Sequence, residues 1–203
     1  SSEQSLRPLQ NGKAAWADFD GDGDADLLLS GLDIDRRARS ILYENDNGRL
    51  NESENISLQG VISGDAAWGD FDNDGDPDLL LTGGDVAGNR FTHLYRNRQT
   101  DFALNVANFQ VLPQMSESAA EFGDFDNDGD IDLALMGQVS GDRRTLLFRN
   151  DDGQFVEIES GLAHTDNGDL AWGDIDNDGD LDLALTGQQS DAGAAAVDLY
   201  RNA

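Results

Sequence analysis

The chain is 203 residues long and carries 41 acidic against 13 basic residues, a formal net charge of −28. So acidic a surface repels polyanions, which excludes nucleic acid and insertion into anionic membranes. Cysteine is absent, so neither disulfides nor thiolate metal sites exist, and no run reaches the ~20 apolar residues of a membrane span.

Taken in order, the chain opens on Ser1-Ser2-Glu3-Gln4, which lacks signal-peptide character, so any export signal is expected to be absent or already removed. A short apolar stretch carrying Trp16 follows, and then the loop Asp18, Asp20, Asp22, Asp24, Asp26, with a glycine at its sixth position. Next come the continuous apolar run Leu27-Leu28-Leu29, the stretch Leu42-Tyr43-Glu44-Asn45 and the turn Asn45-Asp46-Asn47-Gly48. This reads as four short strands. The first holds the aromatic, the second is buried on both faces, the third ends at the Asn-rich turn, and a weak fourth is expected around Ile56 to Leu58.

The same order recurs three times. The second loop is Asp70, Asp72, Asp74, Asp76, Asp78, led by Trp68, and its weak fourth strand is expected within Phe102 to Phe109. The third is Asp124, Asp126, Asp128, Asp130, Asp132, led by Phe122, and the fourth is Asp174, Asp176, Asp178, Asp180, Asp182, led by Trp172. The loops begin 52, 54 and 50 residues apart. Leucines recur ten residues before each aromatic, at Leu6, Leu58, Leu112 and Leu162.

Each loop reads D-x-D-x-D-G-x-x-D. Alternate aspartates converge on one centre, and the glycine permits the turn that returns the ninth position to it. Hard oxygen donors in this number suit calcium, whereas a transition metal would call for His or Cys. Without a cation, each carboxylate pair at ~5 Å repels by about 0.8 kcal/mol, roughly 5 kcal/mol per loop. One calcium per loop, four per chain, is therefore expected. The ligands are the aspartates at positions 1, 3, 5 and 9, with the seventh contributing its main-chain carbonyl. An EF-hand would need a carboxylate at position 12, where Leu29, Leu81, Leu135 and Leu185 stand.

Four-stranded units of about fifty residues in tandem are what β-propeller blades look like. The expected fold is all-β, a propeller of four four-stranded antiparallel blades in one unit over residues 1–203. Blade 1 spans 11–60, blade 2 61–112, blade 3 113–162 and blade 4 163–203. The fourth repeat has no fourth strand before Ala203, so residues 1–10 are expected to complete it as a closing strand. They would do so within one chain, or between two chains as an eight-bladed homodimer.

The Asp-rich loop between two buried strands resembles the FG-GAP repeat of integrin α-subunit propellers, and more closely the bacterial VCBS-type repeats. Phe122-Gly123 stands before the third loop, and the family's Gly-Ala-Pro survives only as Gly31, Gly83, Gly137 and Gly187. The resemblance implies calcium bound between the first two strands of each blade. Integrin-type rings usually have seven blades, against four repeats here, so either four blades close alone, or two chains pair into eight, or the chain is a piece of something longer.

Catalysis has no visible apparatus: His93 and His164 sit at non-equivalent positions, and no nucleophile setting appears. The reading is a non-enzymatic, extracellular adhesion or recognition scaffold, held together by calcium where that ion is abundant. A lectin-like glycan binder and a ring module of a polysaccharide-degrading enzyme are the alternatives. In an up-and-down meander the loops alternate between two ends. A protein or glycan ligand is expected at the end opposite the calcium loops. Arg36, Arg37, Arg39, Arg90, Arg143 and Arg144 cluster there, either displayed to a ligand or offsetting neighbouring acids.

Overall fold

A computed structural model describes residues 4–98, 105–106, 112–189 and 194–202. All fifteen of its regular elements are strands, in four antiparallel sheets that follow one another along the chain. Sheet 1 holds β1 (Ala14–Ala17), β2 (Asp26–Leu32), β3 (Ala38–Asp46) and β4 (Arg49–Glu52). Sheet 2 holds β5 (Ala66–Gly69), β6 (Asp78–Gly84), β7 (Arg90–Arg96) and β8 (Asn105–Val106). Sheet 3 holds β9 (Ser116–Gly123), β10 (Asp132–Val139), β11 (Asp142–Asp151) and β12 (Gln154–Ile158). Sheet 4 has three described strands, β13 (Thr165–Gly173), β14 (Asp182–Gln189) and β15 (Ala195–Tyr200).

One register repeats in all four sheets. The leading aromatic pairs with the first leucine after the loop, which pairs in turn with an aromatic of the third strand. The triples are Trp16–Leu27–Tyr43, Trp68–Leu79–Tyr95, Phe122–Leu133–Phe148 and Trp172–Leu183–Tyr200. Constant spacing between turn and apolar run sets this pairing, because a one-residue slip would turn each apolar set to the wrong face. The second strands of the two middle sheets are apolar on both faces because each lies between two layers. Leu79, Leu80 and Leu81 are all fully buried, as are Leu133, Ala134 and Leu135. At about 1.5–3 kcal/mol per buried leucine, these runs dominate the packing.

Sheets pack face to face in sequence order. Phe19, Leu28 and Leu42 of sheet 1 meet Leu79, Leu81 and Tyr95 of sheet 2. Sheet 2 offers Phe71, Leu80 and Leu94 to Leu133, Leu135 and Phe148 of sheet 3. Ala134, Met136 and Leu147 of sheet 3 meet Leu183 and Leu185 of sheet 4. At the start of each first strand stands a left-handed residue, Asn11, Ser63, Glu117 or Asn167, with φ of 55°, 49°, 51° and 50°. The glycine after Ser63 is required by close approach, since a Cβ on Gly64 would lie 2.0 Å from the Thr82 carbonyl oxygen. These four positions, one from each sheet, line one cavity of about 310 Å³, which puts the first strands around a common axis.

Three expectations are corrected. No sheet closes a ring among the described residues, and the N-terminal segment does not complete sheet 4. Residues 1–3 of the expected closing strand lie outside the described residues. Residues 4–10 lie across sheet 1, where Leu6 and Leu9 pack on Leu27, Ile41 and Tyr43, and Gln10 bridges Leu32. The reason is visible in the other repeats. Arg7 N–H donates to the Tyr43 hydroxyl, Gln59 N–H to that of Tyr95, and Ala163 N–H to that of Tyr200. The leucines ten residues before the aromatics therefore belong to connecting segments wedged against the sheet that follows. The fourth strand is also not at Ile56 to Leu58. It is β4, reached from β3 through the two-residue turn Asn47-Gly48, whose φ values are 51° and 88°. Of the stretch Phe102 to Phe109, only Asn105 and Val106 lie among the described residues, and they form β8.

Candidate metal centres

Each Asp-rich loop joins the first and second strands of its sheet, and its main chain is wound by its own carboxylates. At position 1, Asp70, Asp124 and Asp174 each accept the main-chain N–H groups of positions 5 and 6. Asp18 accepts that of Gly23. At position 5, Asp22, Asp74, Asp128 and Asp178 each accept the N–H of position 7. Position 6 is glycine with φ between 94° and 100° in all four loops, a left-handed turn that no side chain favours.

Four groups of three aspartates then place one oxygen each within 4.8 Å of the others. In loops 2, 3 and 4 these are positions 1, 3 and 9: Asp70, Asp72, Asp78; Asp124, Asp126, Asp132; and Asp174, Asp176, Asp182. In loop 1 they are positions 1, 3 and 5: Asp18, Asp20 and Asp22. Asp18 Oδ1 and Asp72 Oδ1 are buried without a hydrogen-bond partner, so a cation at these centres would satisfy oxygens that the protein leaves bare. The donor set fits calcium: all oxygen, carboxylate-rich and open to main-chain carbonyls.

Position 9 does more than the spacing predicts. Its carboxylate is at most 2% exposed in every loop. One oxygen accepts the N–H of loop position 2, and the other accepts the N–H of the asparagine that ends the third strand. Asp26 holds Phe19 and Asn45 at 3.0 and 2.7 Å, and Asp78 holds Phe71 and Asn97 at 3.1 and 2.7 Å. Asp132 holds Phe125 and Asn150, and Asp182 holds Ile175 and Asn202. Burial pushes Asp78 up to about 7 and Asp26 and Asp132 up to about 6, against the opposing pull of these hydrogen bonds. Asp182 makes the same bonds, and there they prevail and hold it below the ordinary carboxylate range. Burial also raises Asp20, Asp72, Asp126 and Asp176.

At position 7 the side chains of Asp24, Asp130 and Asp180 bond to groups outside their own loops. Asp24 accepts Asn47 N–H and Asp130 accepts Asp152 N–H, which ties each loop to the third-to-fourth-strand turn at the same end. Asp130 also accepts Asn73 Nδ2 of the preceding loop, and Asp180 accepts Asn127 Nδ2. For Asp24, Asp130 and Asp180 only the main chain could therefore serve as ligand without breaking such ties, in keeping with the role expected of it.

Sequence reasoning missed the charges beside the loops. Arg96 pairs with Asp72 and reaches Asp74 at 3.3 Å, and Arg201 reaches Asp176 at 3.4 Å. The corresponding residue of sheet 1 is Glu44, whose charge helps to raise Asp20. A repeat alignment carries this signal, since Glu44, Arg96, Arg149 and Arg201 share one position before the asparagine.

At the opposite end, three of the six clustered arginines are spoken for, Arg144 only by a loose pair with exposed Glu157 at 4.0 Å. Arg39 pairs with buried Asp33 at 3.0 Å, and Arg143 with fully buried Asp166 at 2.8 Å across the junction of sheets 3 and 4. Gln138 Nε2 completes the Asp166 carboxylate at 2.6 Å. The sole lysine, Lys13, reaches Asp65 at 3.1 Å.

No curated protein matches the chain. The FG-GAP-like repeat family matches at residues 18–81 and 124–185, each span running from the start of a loop into a second strand. With four Asp-rich loops in one register and more than half of its length matched, the chain belongs to the FG-GAP-like repeat family.

Proposed function

We propose that the protein is a calcium-stapled β-propeller that serves outside the cell as a non-catalytic adhesion or recognition scaffold. The observation that carries this reading is the set of four aspartate triads, with buried partnerless oxygens on Asp18 and Asp72. The chain's own residues would hold calcium through positions 1, 3, 5 and 9 and the carbonyl at position 7. The ion supplies positive charge that cancels carboxylate repulsion and fixes the loop between two strands. Extracellular calcium is abundant enough to fill such sites, and no helix of the described residues is long and apolar enough to cross a membrane. At calcium ~100 times the dissociation constant each site adds about 2.7 kcal/mol. Four sites then rival the stability of an ordinary domain. Chelation should lower the melting temperature by about 20 °C or more, with four ions per chain by titration calorimetry. A melting curve indifferent to chelator would sink the reading, and turnover of acidic polysaccharides would overturn its non-catalytic part.

A lectin-like reading has one observation of its own. A polar cavity of about 330 Å³ beside β3 is lined by Arg7, Arg39, Ser40, Glu52 and Ser53. The Ser40 and Ser53 hydroxyls are buried without hydrogen-bond partners. Such unmet groups suit a sugar hydroxyl. Binding on a glycan array, lost in Ser53→Val, would favour it; an empty array would leave the protein-binding scaffold.

A further inference from the structure

The three internal junctions share one template, and the first and last sheets present its unused halves. From the earlier sheet, each junction takes the second loop residue, a second-strand residue and the third-strand leucine. In sheets 1 and 2 these are Phe19, Leu28, Leu42 and Phe71, Leu80, Leu94, all buried. In sheet 3 they are half-buried Phe125 with buried Ala134 and Leu147. Sheet 4 presents Ile175, Ala184 and Leu199 at the same positions, with Val197 beside them. Ile175 is 52%, Leu199 49% and Val197 82% exposed. Scattered apolar exposure needs no explanation, but a contiguous patch at positions buried in every other repeat does.

From the later sheet, each junction takes an asparagine that donates to the carbonyl of that second loop residue. Asn97 reaches Phe19, Asn150 reaches Phe71 and Asn202 reaches Phe125, at 2.5, 2.7 and 2.5 Å. In the last two junctions the leading aromatic also covers a glycine, Phe122 over Gly69 and Trp172 over Gly123. A loop asparagine of the earlier sheet there donates to the position-7 aspartate of the later one. On sheet 1 these groups are idle. Trp16 is 57% exposed, and Asn45 Nδ2 bonds only Ala25 within its own sheet among the described residues. On sheet 4 the counterparts are idle too: nothing lies within 4 Å of a Cβ on Gly173, and the side chain of Asn177 is exposed. The connecting segment that fills each internal junction is also in place on sheet 1, where Leu6 and Leu9 form half a core.

We propose that the free face of sheet 4 docks sheet 1 of a second copy of this chain, head to tail. Trp16 of one copy covers Gly173 of the other, Asn45 Nδ2 meets the Ile175 carbonyl, and Asn177 Nδ2 meets the Asp24 carboxylate. Pairing two sheet 4 faces would bring carbonyls and bare apolar side chains together with no matching asparagine or indole. The contact is heterologous, so it closes into a ring or extends, according to its rotation. It rests on the repeat geometry and not on the calcium reading.

The test is the mass in solution, by light scattering over a range of concentrations in calcium. The wild-type chain is expected above its monomer mass of 21.9 kDa. Leu199→Arg on sheet 4 and Trp16→Ser on sheet 1 change exposed side chains and should each give monomers with unaltered circular dichroism. Mixed together they should form a dimer, because each supplies the half the other lacks. Asn177→Asp, which sets a carboxylate against Asp24, should weaken association at least tenfold without touching any core residue. A wild-type monomer at every concentration overturns the proposal. So does a mixture that stays monomeric while the wild type associates, and so does a Trp16→Ser variant that still associates, since that outcome means a symmetric contact between sheet 4 faces.

Discussion

The second and fourth sheets carry the same loop, the same register and the same pair of hydrogen bonds on the ninth aspartate, yet equivalent residues live in different surroundings. Phe71 is 3% exposed and Ile175 52%; Leu94 is 8% exposed and Leu199 49%. Asp78 is driven up by burial, whereas Asp182 is pulled down by its hydrogen bonds. Sheet 2 is covered on both faces and sheet 4 on one. In a repeat array, burial is a property of the neighbour as much as of the residue, so one motif can have several energies.

The largest expected effect breaks or upholds this contrast directly. Phe71→Ala should cost about 3–5 kcal/mol, as large-to-small changes in cores do. Ile175→Ala, in the same loop position, should cost less than about 1 kcal/mol at concentrations where the chain is monomeric. Urea midpoints in calcium measure both. Equal losses would mean that sheet 4 is covered after all.

A somewhat smaller effect contrasts a closed junction with an open edge. Arg143→Ala leaves the Asp166 carboxylate buried and short of its cation, which should cost about 3 kcal/mol. Arg201→Ala removes a pair with both partners exposed, Arg201 by 62% and Asp176 by 36%, and should cost less than about 1 kcal/mol. Comparable midpoints for the two variants would show Arg143 to be a display residue.

The Arg143 pair also marks where the sequence stops being legible. The loops and the first three strands of each repeat can be read from it, because each rests on local spacing: Asp-x-Asp, a buried leucine run, an Asn-Gly turn. The partner of Arg143 lies 23 residues on and in the next sheet, which no local pattern announces. Ile56 and Leu58 resemble a strand because apolar residues at alternate positions fit one. The Asn47-Gly48 turn argues for a strand immediately after it, and that signal is the better guide. Leu6 shares the spacing of Leu58 and therefore its misreading. The motif marks the ninth aspartate as a ligand, but spacing cannot reveal that its two oxygens also clamp the loop to the third strand.

The difference between Asp78 and Asp182 predicts a pH dependence for the calcium-free chain. Asp78 has a folded pKa of about 7, above its unfolded value, so its contribution is full below pH ~4 and is lost as pH rises through 7. Asp26 and Asp132 act the same way up to about 6. Asp182 is depressed, so its contribution is present above the ordinary carboxylate pKa and lost only in stronger acid. In chelator, stability should fall between pH ~5 and pH ~7.5. Asp78→Asn should flatten that slope, while Asp182→Asn should leave it intact. Saturating calcium should oppose the slope, because binding needs the ionised carboxylates that high pH supplies. Urea midpoints at the two pH values decide the matter, and a slope that survives Asp78→Asn unchanged would assign it to net charge.

The smallest expected effect separates loops that the motif makes look alike. Beside loop 1 the third strand offers Glu44, a further negative charge felt at Asp20. Beside loop 2 the same position is Arg96, whose guanidinium pairs with Asp72 and Asp74, two of the expected ligands. An ion entering loop 2 has to compete with a charge already bonded there, whereas one entering loop 1 is drawn by an extra carboxylate. Loop 4 resembles loop 2 more weakly, through Arg201 and Asp176. In loop 3, Arg149 turns away to Asp151, at 2.8 and 2.9 Å. Calcium should therefore fill loop 1 first and loop 2 last. Arg96→Ala should tighten loop 2 about tenfold, the equivalent of ~1.4 kcal/mol, and Glu44→Gln should weaken loop 1 by less. Lanthanide emission sensitised by a single tryptophan, Trp16 or Trp68 with the other two changed to Phe, reports the two loops separately. If Arg96→Ala leaves the Trp68-sensitised titration where it was, the arginine yields to the ion at no cost, and the loops differ only in what covers them.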